Sequence, residues 1–230
     1  MNILISGSSR GIGRYLAEHF ASQGHAVFGC SRGSATWEHE RYVHFSVDIC
    51  DEGAVRAMLA AIRKRSGGLG ALVNNAAVNP AIAPAMLTSL ASVRATFETN
   101  VFATMLLSRE AAKLMAPARF GRIVNMSSMA ARHHVAGESS YTASKAAVEA
   151  FTRVFAKEVN AFGITVNAVA PSAVPTDLSR AIDPAALRDV LRRNAIPEPG
   201  SMEDVSNVVD WLLRAESSAV TGQVLYLGGV

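Results

Sequence analysis

The chain has 230 residues, of which 50% are hydrophobic and 18% charged, and its formal net charge at pH 7 is +3. A chain of this length can bury roughly 70 to 75% of the surface that it exposes when unfolded. Its basic residues are scattered, and no nucleic-acid motif accompanies them. The uncharged stretch from Ser66 to Val93 contains asparagines, prolines and glycines, which excludes a membrane span. We therefore expect no nucleic-acid partner and no membrane partner.

The N-terminus and the two cysteines bear on the cellular location. The first strand-like run begins at Asn2, which leaves no room for a basic and apolar leader before it. Cys30 and Cys50 lie in or beside predicted core strands, where we expect buried thiols rather than a disulfide. Together these features predict a cytoplasmic protein.

Strand-like runs alternate with helical stretches along the whole chain. Short apolar runs predict strands at Asn2–Ser6, His25–Ser31, Tyr42–Val47, Gly70–Asn74, Gly121–Ser127, Ile164–Ala170 and Gln223–Leu227. Such alternation indicates right-handed βαβ units. The expected fold is a Rossmann-type α/β fold, with a doubly wound parallel sheet and helices on both faces. We expect residues 1–230 to form one domain.

A glycine-rich loop follows the first predicted strand. Gly7, Gly11 and Gly13 lie in this loop, and apolar residues then recur at helical spacing. This order is typical of a phosphate site, because glycines let the backbone approach a pyrophosphate and a helix N-terminus offers unpaired N–H groups. The spacing is Gly-x-x-x-Gly-x-Gly rather than the common Gly-x-Gly-x-x-Gly, and a purely structural turn is the alternative.

The end of the second predicted strand indicates which dinucleotide is preferred. Proteins that select NAD usually place an acidic side chain there, whereas a cation accommodates the 2′-phosphate of NADP. Here the strand ends in Ser31 and Arg32, without a carboxylate. Arg10 in the glycine loop is placed to help Arg32 hold a phosphate. We expect NADP(H) rather than NAD(H), and two solvated arginines are the alternative.

Tyr141 and Lys145 stand four residues apart, which places them on one face of a helix. A free phenol loses its proton only near pH 10, roughly, so tyrosine needs a cationic neighbour to act as an acid or base at neutral pH. The Lys145 ammonium is expected to lower the pKa of Tyr141. Ser128 ends an apolar run upstream, and the three residues together indicate carbonyl chemistry. The Tyr-x-x-x-Lys pair alone is weak evidence, because any exposed helix can carry it.

Several motifs occur in the order of one known family. The matching residues are the cofactor loop, the segment after the fourth strand and four catalytic positions: Gly7, Gly11, Gly13, Asn74, Asn75, Ala76, Ala77, Asn100, Ser128, Tyr141 and Lys145. The chain resembles the short-chain dehydrogenase/reductase family over essentially its whole length, and within it the 3-oxoacyl-carrier-protein ketoreductases. Ala77 stands where the family has a glycine.

The resemblance implies a cofactor site that extends beyond the glycine loop. Asp48 and Ile49 are expected at the adenine, and Asn75 with Ala76 beneath the adenosine ribose. Pro171 and Thr176 resemble the family's Pro-Gly-x-x-x-Thr element beside the nicotinamide amide and pyrophosphate. The full predicted set is Gly7, Ser9, Arg10, Gly11, Ile12, Gly13, Ser31, Arg32, Asp48, Ile49, Asn75, Ala76, Ala77, Tyr141, Lys145, Pro171 and Thr176. We predict no metal site.

The resemblance also assigns roles to the four catalytic positions. Ser128 is expected to bond and orient the substrate oxygen, and Tyr141 to protonate it. Lys145 is expected to bond the nicotinamide ribose hydroxyls besides acting on the phenol. Asn100 is expected to hold a water that relays protons to Lys145.

Residues 171–200 are expected to form a lid over the substrate. Within it, Leu178–Pro199 is predicted as the mobile part, with one short helix over Pro184–Asn194. Ser172 replaces the family's usual glycine at the start of this region. Ser201-Met202-Glu203-Asp204 then predicts a capping box that opens another helix.

Several basic residues are candidates for contact with the substrate, but they do not identify it. Arg132, His133 and His134 line the pocket entrance in one interpretation and form a solvated loop in the other. Arg119 lies where carrier-protein reductases place a carrier-contacting arginine, but Phe162 stands at their second such position. Three arginines of the predicted lid helix either meet an acidic carrier or are solvated: Arg188, Arg192 and Arg193.

By the same resemblance, the helices Asn100–Met115 and Tyr141–Phe162 are expected to mediate a homodimer or homotetramer. The second helix carries more apolar side chains than one core-facing stripe requires: Val148, Phe151, Val154, Phe155 and Phe162.

The predicted function is NADPH-dependent reduction of a ketone to a secondary alcohol. The expected substrate is a β-ketoacyl thioester, free or bound to a carrier protein, or a related small-molecule ketone. One alternative is an NADP-dependent alcohol or polyol dehydrogenase. Another is a dinucleotide-responsive binding or regulatory protein without turnover, although such proteins generally lose the tyrosine or the lysine.

Overall fold

The fold is built on a parallel β-sheet, seen in a computed structural model. Within residues 1–80, 82–176 and 184–229, which the structure describes, the sheet has seven strands in the order β3-β2-β1-β4-β5-β6-β7. The strands are β1 (Asn2–Ser6), β2 (Ala26–Ser31), β3 (Tyr42–Ser46), β4 (Ala71–Asn74), β5 (Gly121–Met126), β6 (Ile164–Ala170) and β7 (Val224–Tyr226). All seven predicted strands are present, with ends that differ from the prediction by one residue at most.

Helices cover both faces of the sheet, as predicted. They are α1 (Gly11–Ser22), α2 (Glu52–Ser66), α3 (Leu90–Phe97), α4 (Ala103–Met115), α5 (Ala130–His133), α6 (Ser139–Val159), α7 (Pro184–Leu191) and α8 (Met202–Leu213). One buried cluster packs α2, α4 and α6 against the sheet, and a second packs α1 and α8 against it. The central strands β4, β5 and β6 are buried along their whole length, because helices cover them on both sides.

Local signals in the sequence account for several helix starts. The Asp51 side chain caps α2 by accepting a hydrogen bond from the Ala54 N–H at 3.0 Å. The predicted capping box of α8 is confirmed: Ser201 accepts from the Asp204 N–H, and the Asp204 carboxylate accepts from the Ser201 N–H.

A π-helical turn over Glu98–Phe102 joins α3 to α4, a feature that the sequence did not predict. Such a turn inserts an extra residue into a helix and often occurs at functional sites. It buries Asn100 and Val101.

The strand order reverses at β1. From β1 the chain builds outward through β2 and β3 on one side, whereas β4 pairs with β1 on the other and starts the second half. In open α/β sheets, ligands bind in the crevice at such a point, outside the carboxyl ends of the strands.

The predicted lid lies partly outside the described residues, which omit 177–183. The predicted helix Pro184–Asn194 is shorter in the structure and ends at Leu191. Beyond it the chain turns, because the Arg193 N–H bonds the Val190 carbonyl and the Asn194 N–H bonds the Leu191 carbonyl.

Candidate active site

A cavity of about 480 Å³ opens at the crevice between β1 and β4. Sixteen of the predicted cofactor residues line it: Gly7, Ser9, Arg10, Gly11, Ile12, Ser31, Arg32, Asp48, Ile49, Asn75, Ala76, Ala77, Tyr141, Lys145, Pro171 and Thr176. We call this space the cofactor cavity.

The glycine loop forms the floor of the cofactor cavity at the start of α1. Gly7 and Gly11 have φ values of +69° and +56°, a backbone conformation that residues other than glycine rarely adopt. Arg10 is the N-cap residue of α1, but its side chain does not cap the helix, and the first turn holds no acidic residue. The opening N–H groups of α1 therefore keep their capacity to bind an anion, and the loop fits a pyrophosphate.

Gly13 is the one predicted cofactor residue that does not line the cofactor cavity. A Cβ atom at this position would collide with the Asn75 amide and the Gly7 carbonyl. Gly13 thus acts on the cavity through packing, by letting α1 approach the glycine loop and the segment after β4.

Hydrogen bonds tie the end of β1 to the segment after β4. The Ser6 hydroxyl accepts from the Asn75 and Ala76 N–H groups at 3.0 and 3.1 Å. The Asn75 amide donates to the carbonyls of Ser6 and Gly7 at 3.0 and 3.3 Å. These bonds fix the glycine loop relative to the rest of the cavity wall.

The wall of the cofactor cavity carries more positive than negative side chains. Arg10 and Arg32 both line it, and Asp48 is the only acidic residue among its described lining residues. The Asp48 carboxylate accepts a hydrogen bond from the Cys50 N–H at 3.0 Å. The Ser31 hydroxyl donates to the Gly33 carbonyl at 3.1 Å, which shapes the turn that presents Arg32.

Three of the predicted catalytic residues lie together: Tyr141 and Lys145 line the cofactor cavity, and Ser128 is hydrogen-bonded to Tyr141. Tyr141 and Lys145, on the first turns of α6, are 7% and 3% exposed. The Lys145 Nζ lies 5.7 Å from the centre of the Tyr141 ring and donates to the Met126 carbonyl at 2.8 Å. The Ser128 side chain is hydrogen-bonded to Tyr141, and its Oγ accepts from the Ala130 N–H at 3.2 Å.

Burial dominates the pKa of Tyr141, and the predicted effect of Lys145 on the phenol stays a prediction. Burial raises the pKa of Tyr141 to about 12, while the bond to Ser128 opposes the rise and the Glu138 charge adds to it. Burial also lowers the pKa of Lys145 to about 8. The sequence pattern gave the spacing of the two groups but not the cost of removing both ions from water, and the ammonium bonds a backbone carbonyl instead of the phenol.

Asn100 is placed behind the reacting groups by the π-helical turn. Its amide donates to the Val78 carbonyl at 2.9 Å and to the Ser144 hydroxyl at 3.0 Å, and its oxygen accepts from the Val78 N–H at 2.8 Å. The Ser144 hydroxyl in turn donates to the Tyr141 carbonyl at 2.7 Å. Asn100 therefore links the segment after β4 to the helix that carries Tyr141, and its predicted water-holding role stays a prediction.

A second cavity of about 160 Å³ adjoins the cofactor cavity and shares Tyr141 as a wall. Ser128 lines it as well, together with two polar residues that sequence reasoning missed, Asn79 and Glu138. Its remaining walls are mostly apolar and include Leu187 and Val190 of α7. A small molecule in this space would lie against the Tyr141 and Ser128 hydroxyls.

The basic residues considered for the substrate do not line the second cavity. The His133 Nε2 is 2.7 Å from the Asn194 oxygen, and Arg193 donates to the His133 carbonyl at 3.4 Å. The Arg192 side chain pairs with Asp189 at 3.7 Å. Arg132, His134 and Arg188 are likewise absent from the described cavity wall.

Several wall residues of the cofactor cavity were not predicted: Cys30, Gly33, Val47, Cys50, Val78, Thr99, Met126 and Ser127. Most are apolar or small residues at strand ends, where their position was the only available signal. Cys30 and Cys50 are free thiols; Cys30 is buried as predicted, whereas Cys50 is only partly buried. Burial raises the pKa of Cys30 to about 12.

The fold and the site together define an oxidoreductase of Rossmann architecture. A family model described as enoyl-(acyl carrier protein) reductase matches residues 7–229. The 3-oxoacyl-[acyl-carrier-protein] reductase FabG of Vibrio cholerae serotype O1 is 30% identical, over 98% of this chain and 95% of that protein. The chain belongs to the short-chain dehydrogenase/reductase family.

Solved structures agree with this membership. Levodione reductase is 25% identical with a TM-score of 0.92, over 99% of this chain and 96% of that one. ElxO with NADP bound is 26% identical with a TM-score of 0.90, over 98% and 96% of the two chains. The likeness spans the whole sheet and both layers of helices.

Two further observations concern the described ranges alone. Their helices are too short or too polar to cross a bilayer. In the same ranges, His, Cys, Asp and Glu side chains form no group of three or more that would hold a metal ion.

Proposed function

We propose that the protein reduces a ketone to a secondary alcohol with NADPH. The observation that carries the proposal is the position of Tyr141, which lines both the cofactor cavity and the second cavity and is hydrogen-bonded to Ser128. A carbonyl group in the second cavity would meet two hydroxyl donors on the side that faces the cofactor cavity.

The cofactor cavity fits a dinucleotide. The uncapped N-terminus of α1 and the positive-φ glycines suit the pyrophosphate, and Arg10 and Arg32 suit a 2′-phosphate. The solved structure of ElxO contains NADP, which supports the same preference here. When bound, NADPH supplies the hydride that a carbonyl carbon accepts.

The roles proposed for the reacting residues follow from their surroundings. Because its pKa is raised to about 12, Tyr141 keeps its proton through neutral pH and acts as the acid that protonates the carbonyl oxygen. Ser128 orients that oxygen through its hydroxyl. Lys145 supplies positive charge within 5.7 Å of the phenol ring as the phenolate develops. Asn100 positions the helix through Ser144.

The direct test is a substrate screen with the purified full-length chain. Loss of NADPH absorbance is followed with a panel of ketones and acyl thioesters. Turnover that requires NADPH, with NADH at least about tenfold poorer in kcat/KM, is the expected result, since a charge-assisted phosphate contact contributes on this scale. A chain that neither binds NADPH nor consumes it with any ketone would overturn the proposal.

A β-ketoacyl thioester is the substrate that the Vibrio cholerae relative supports by its name. The Arg119 side chain is exposed and donates to the Ala161 carbonyl at 2.9 Å, beside the exposed Phe162. A carrier protein would meet an arginine and an aromatic ring at this surface. Comparing the kcat/KM of an acetoacetyl thioester on free pantetheine with that on acyl carrier protein tests this docking.

A second candidate function is an NADP-dependent alcohol or polyol dehydrogenase. Glu138 favours it, because a carboxylate in the second cavity can accept hydrogen bonds from substrate hydroxyls. Activity with NADP⁺ and a polyol, without activity on ketoacyl thioesters, would select this function. NADPH binding without any turnover would instead select a regulatory role.

We also propose that the chain forms a homodimer or homotetramer. Exposed apolar side chains lie at the end of the π-helical turn, in α4, in α6 and just after α6: Phe102, Met105, Val154 and Phe162. Val148 and Phe155, which were expected on this surface, are instead buried in the core, while Phe151 is partly buried against it. Light scattering in solution measures the assembly, and Val154→Glu is expected to weaken it.

The proposed organisation is one domain over residues 1–230, in a cytoplasmic protein. A single cooperative unfolding transition, seen alike by fluorescence and circular dichroism, is expected for one domain. Separate transitions would contradict it.

A further inference from the structure

Glu138 is a buried acidic side chain in the wall of the second cavity. It is 9% exposed and lies three residues before Tyr141. Most of the surrounding wall is apolar, and includes Ile82, Val135, Val174, Leu187 and Val190. Burial among such groups raises the pKa of Glu138. A carboxylate in this setting is costly unless other groups bond it.

Its hydrogen bonds leave part of this carboxylate available. Glu138 is the N-cap residue of α6, yet its side chain makes no capping bond. The side-chain amide of Asn79 is its hydrogen-bonding partner. An ionised carboxylate accepts at about four positions, and one amide group cannot fill them all. Glu138 lines the second cavity, where a ligand can offer the missing donors.

Glu138 is also close to the reacting groups. Residues three apart on a helix are neighbours, with about 5 to 6 Å between their Cβ atoms. Both residues line the second cavity, and the Glu138 charge adds to the raised pKa of Tyr141. A ketone whose oxygen meets Tyr141 and Ser128 therefore holds its next few atoms beside Glu138.

We propose that Glu138, held by Asn79, selects ketones that carry a hydroxyl or ammonium donor a few bonds from the carbonyl carbon. The inference rests on the ketoreductase function proposed above and narrows its substrate class. A simple β-ketoacyl group offers methylene hydrogens and a thioester carbonyl at this distance, and neither is a donor for a carboxylate. A hydroxylated or aminated ketone satisfies the acceptor capacity that Asn79 leaves open.

The test uses pairs of ketones that differ by one group. In the first pair, 4-hydroxy-2-butanone and 2-pentanone exchange a hydroxyl for a methyl group, and in the second, aminoacetone and 2-butanone exchange an ammonium for a methyl group. The kcat/KM ratio within each pair is measured with NADPH for the full-length wild type, Glu138→Leu and Glu138→Gln. Glu158→Gln is the matched control, because Glu158 is an exposed glutamate on the same helix.

The wild type is expected to prefer the donor-bearing ketone of each pair by about tenfold or more, the scale of a hydrogen bond to a charged group. Glu138→Leu should abolish both preferences. Glu138→Gln keeps the size and an acceptor oxygen, so it should lose the ammonium preference and keep part of the hydroxyl preference. Glu158→Gln should match the wild type.

The test distinguishes a failure of the proposed function from a failure of the inference about Glu138. A wild type that reduces no ketone overturns the proposed function and this inference together. Ketone reduction without a donor preference, or with one that survives both substitutions at Glu138, overturns this inference alone. NADPH binding, followed by fluorescence titration, reports whether each variant is folded. If Glu138→Leu fails to bind NADPH, the ammonium pair with Glu138→Gln decides the outcome.

Discussion

The cofactor cavity and the second cavity share Tyr141 but differ in the groups that form their walls. Much of the cofactor cavity is backbone, shaped by Gly7 and Gly11 and by bonds from Ser6 and Asn75 to main-chain groups. The second cavity is lined by residues from segments far apart in the sequence, and many of them have apolar side chains. A backbone-built site recognises what all dinucleotides share, whereas a side-chain-built site can change its ligand through single substitutions.

This difference predicts that a change at Tyr141, whose hydroxyl is the proposed acid, stops turnover, whereas a change at a residue of one cavity alone alters the binding of one ligand. The largest effect is expected for Tyr141→Phe, which removes the acid and keeps the ring. We expect kcat to fall by about 10³-fold, within the range of general acid catalysis, while NADPH still binds. Ketone turnover and fluorescence titration measure the two properties. Tyr15→Phe, outside both cavities, is the control, and near-normal turnover by Tyr141→Phe would refute the assignment of the acid.

Lys145→Arg is expected to have the next largest effect and to change the pH profile. Because the pKa of Lys145 is lowered to about 8, the wild type loses the ammonium as pH rises through that value, and its rate of reduction should fall. The guanidinium of the variant stays charged, so the variant should be about 10²-fold slower without this alkaline fall. Measurements of kcat/KM against pH test this, and an alkaline fall that persists in the variant would assign it to another group.

The same titration affects stability with the opposite sign. The unfolded chain binds the Lys145 proton more tightly than the folded chain, since the pKa is about 8 in the fold against an ordinary value of 10.5 for lysine. The contribution of Lys145 to the free energy of unfolding therefore rises as pH increases from about 8 towards 10.5. Urea unfolding of Lys145→Met should lack this rise.

Arg32→Ala should affect only the cofactor cavity. Without the guanidinium, we expect the KM for NADPH to rise by about tenfold, with little change for NADH, because only NADPH carries the 2′-phosphate. Arg65→Ala removes an exposed arginine that lines neither cavity and serves as the control. Equal losses with both cofactors would indicate a structural role for Arg32.

The smallest effect is expected for Gly13→Ala, which should act through packing. The added Cβ would press on the Asn75 amide and the Gly7 carbonyl, and such overpacking costs about 1 to 3 kcal/mol. For a chain of this size, each kcal/mol corresponds to about 2–4 °C in Tm. Gly68→Ala is the control, since a Cβ there meets nothing within 4 Å. Unchanged Tm and NADPH binding in Gly13→Ala would contradict the packing role.

The sequence predicted features that depend on local backbone chemistry. The seven strands, the glycine loop and the capping box of α8 each follow from residues within a short window. The Tyr141–Lys145 spacing likewise placed both side chains on one helix face. These features could be predicted because neighbouring residues in the sequence determine them.

Features that depend on tertiary packing were missed. The pKa of Tyr141 is set by burial, which no pair of residues along the chain reveals. Glu138 and Asn79 come from distant segments and carry no shared motif, so their pairing in the second cavity emerges only from the fold. Val148 and Phe155 were expected on an assembly surface because helical spacing cannot tell the core from a partner subunit.

The π-helical turn over Glu98–Phe102 has a consequence for how this helix can vary. An α-helix advances about 100° per residue, so the extra residue rotates α3 relative to α4 by more than a quarter of a revolution. Deleting one residue from the turn would restore a regular helix, but it would change the rotation of α3 relative to α4 by the same angle. Either the Asn100 amide would swing away from Val78, or Leu107 and Met115 would leave the core. The extra residue thus lets one continuous helical segment point Asn100 towards Val78 and, further along, Leu107 and Met115 towards the core.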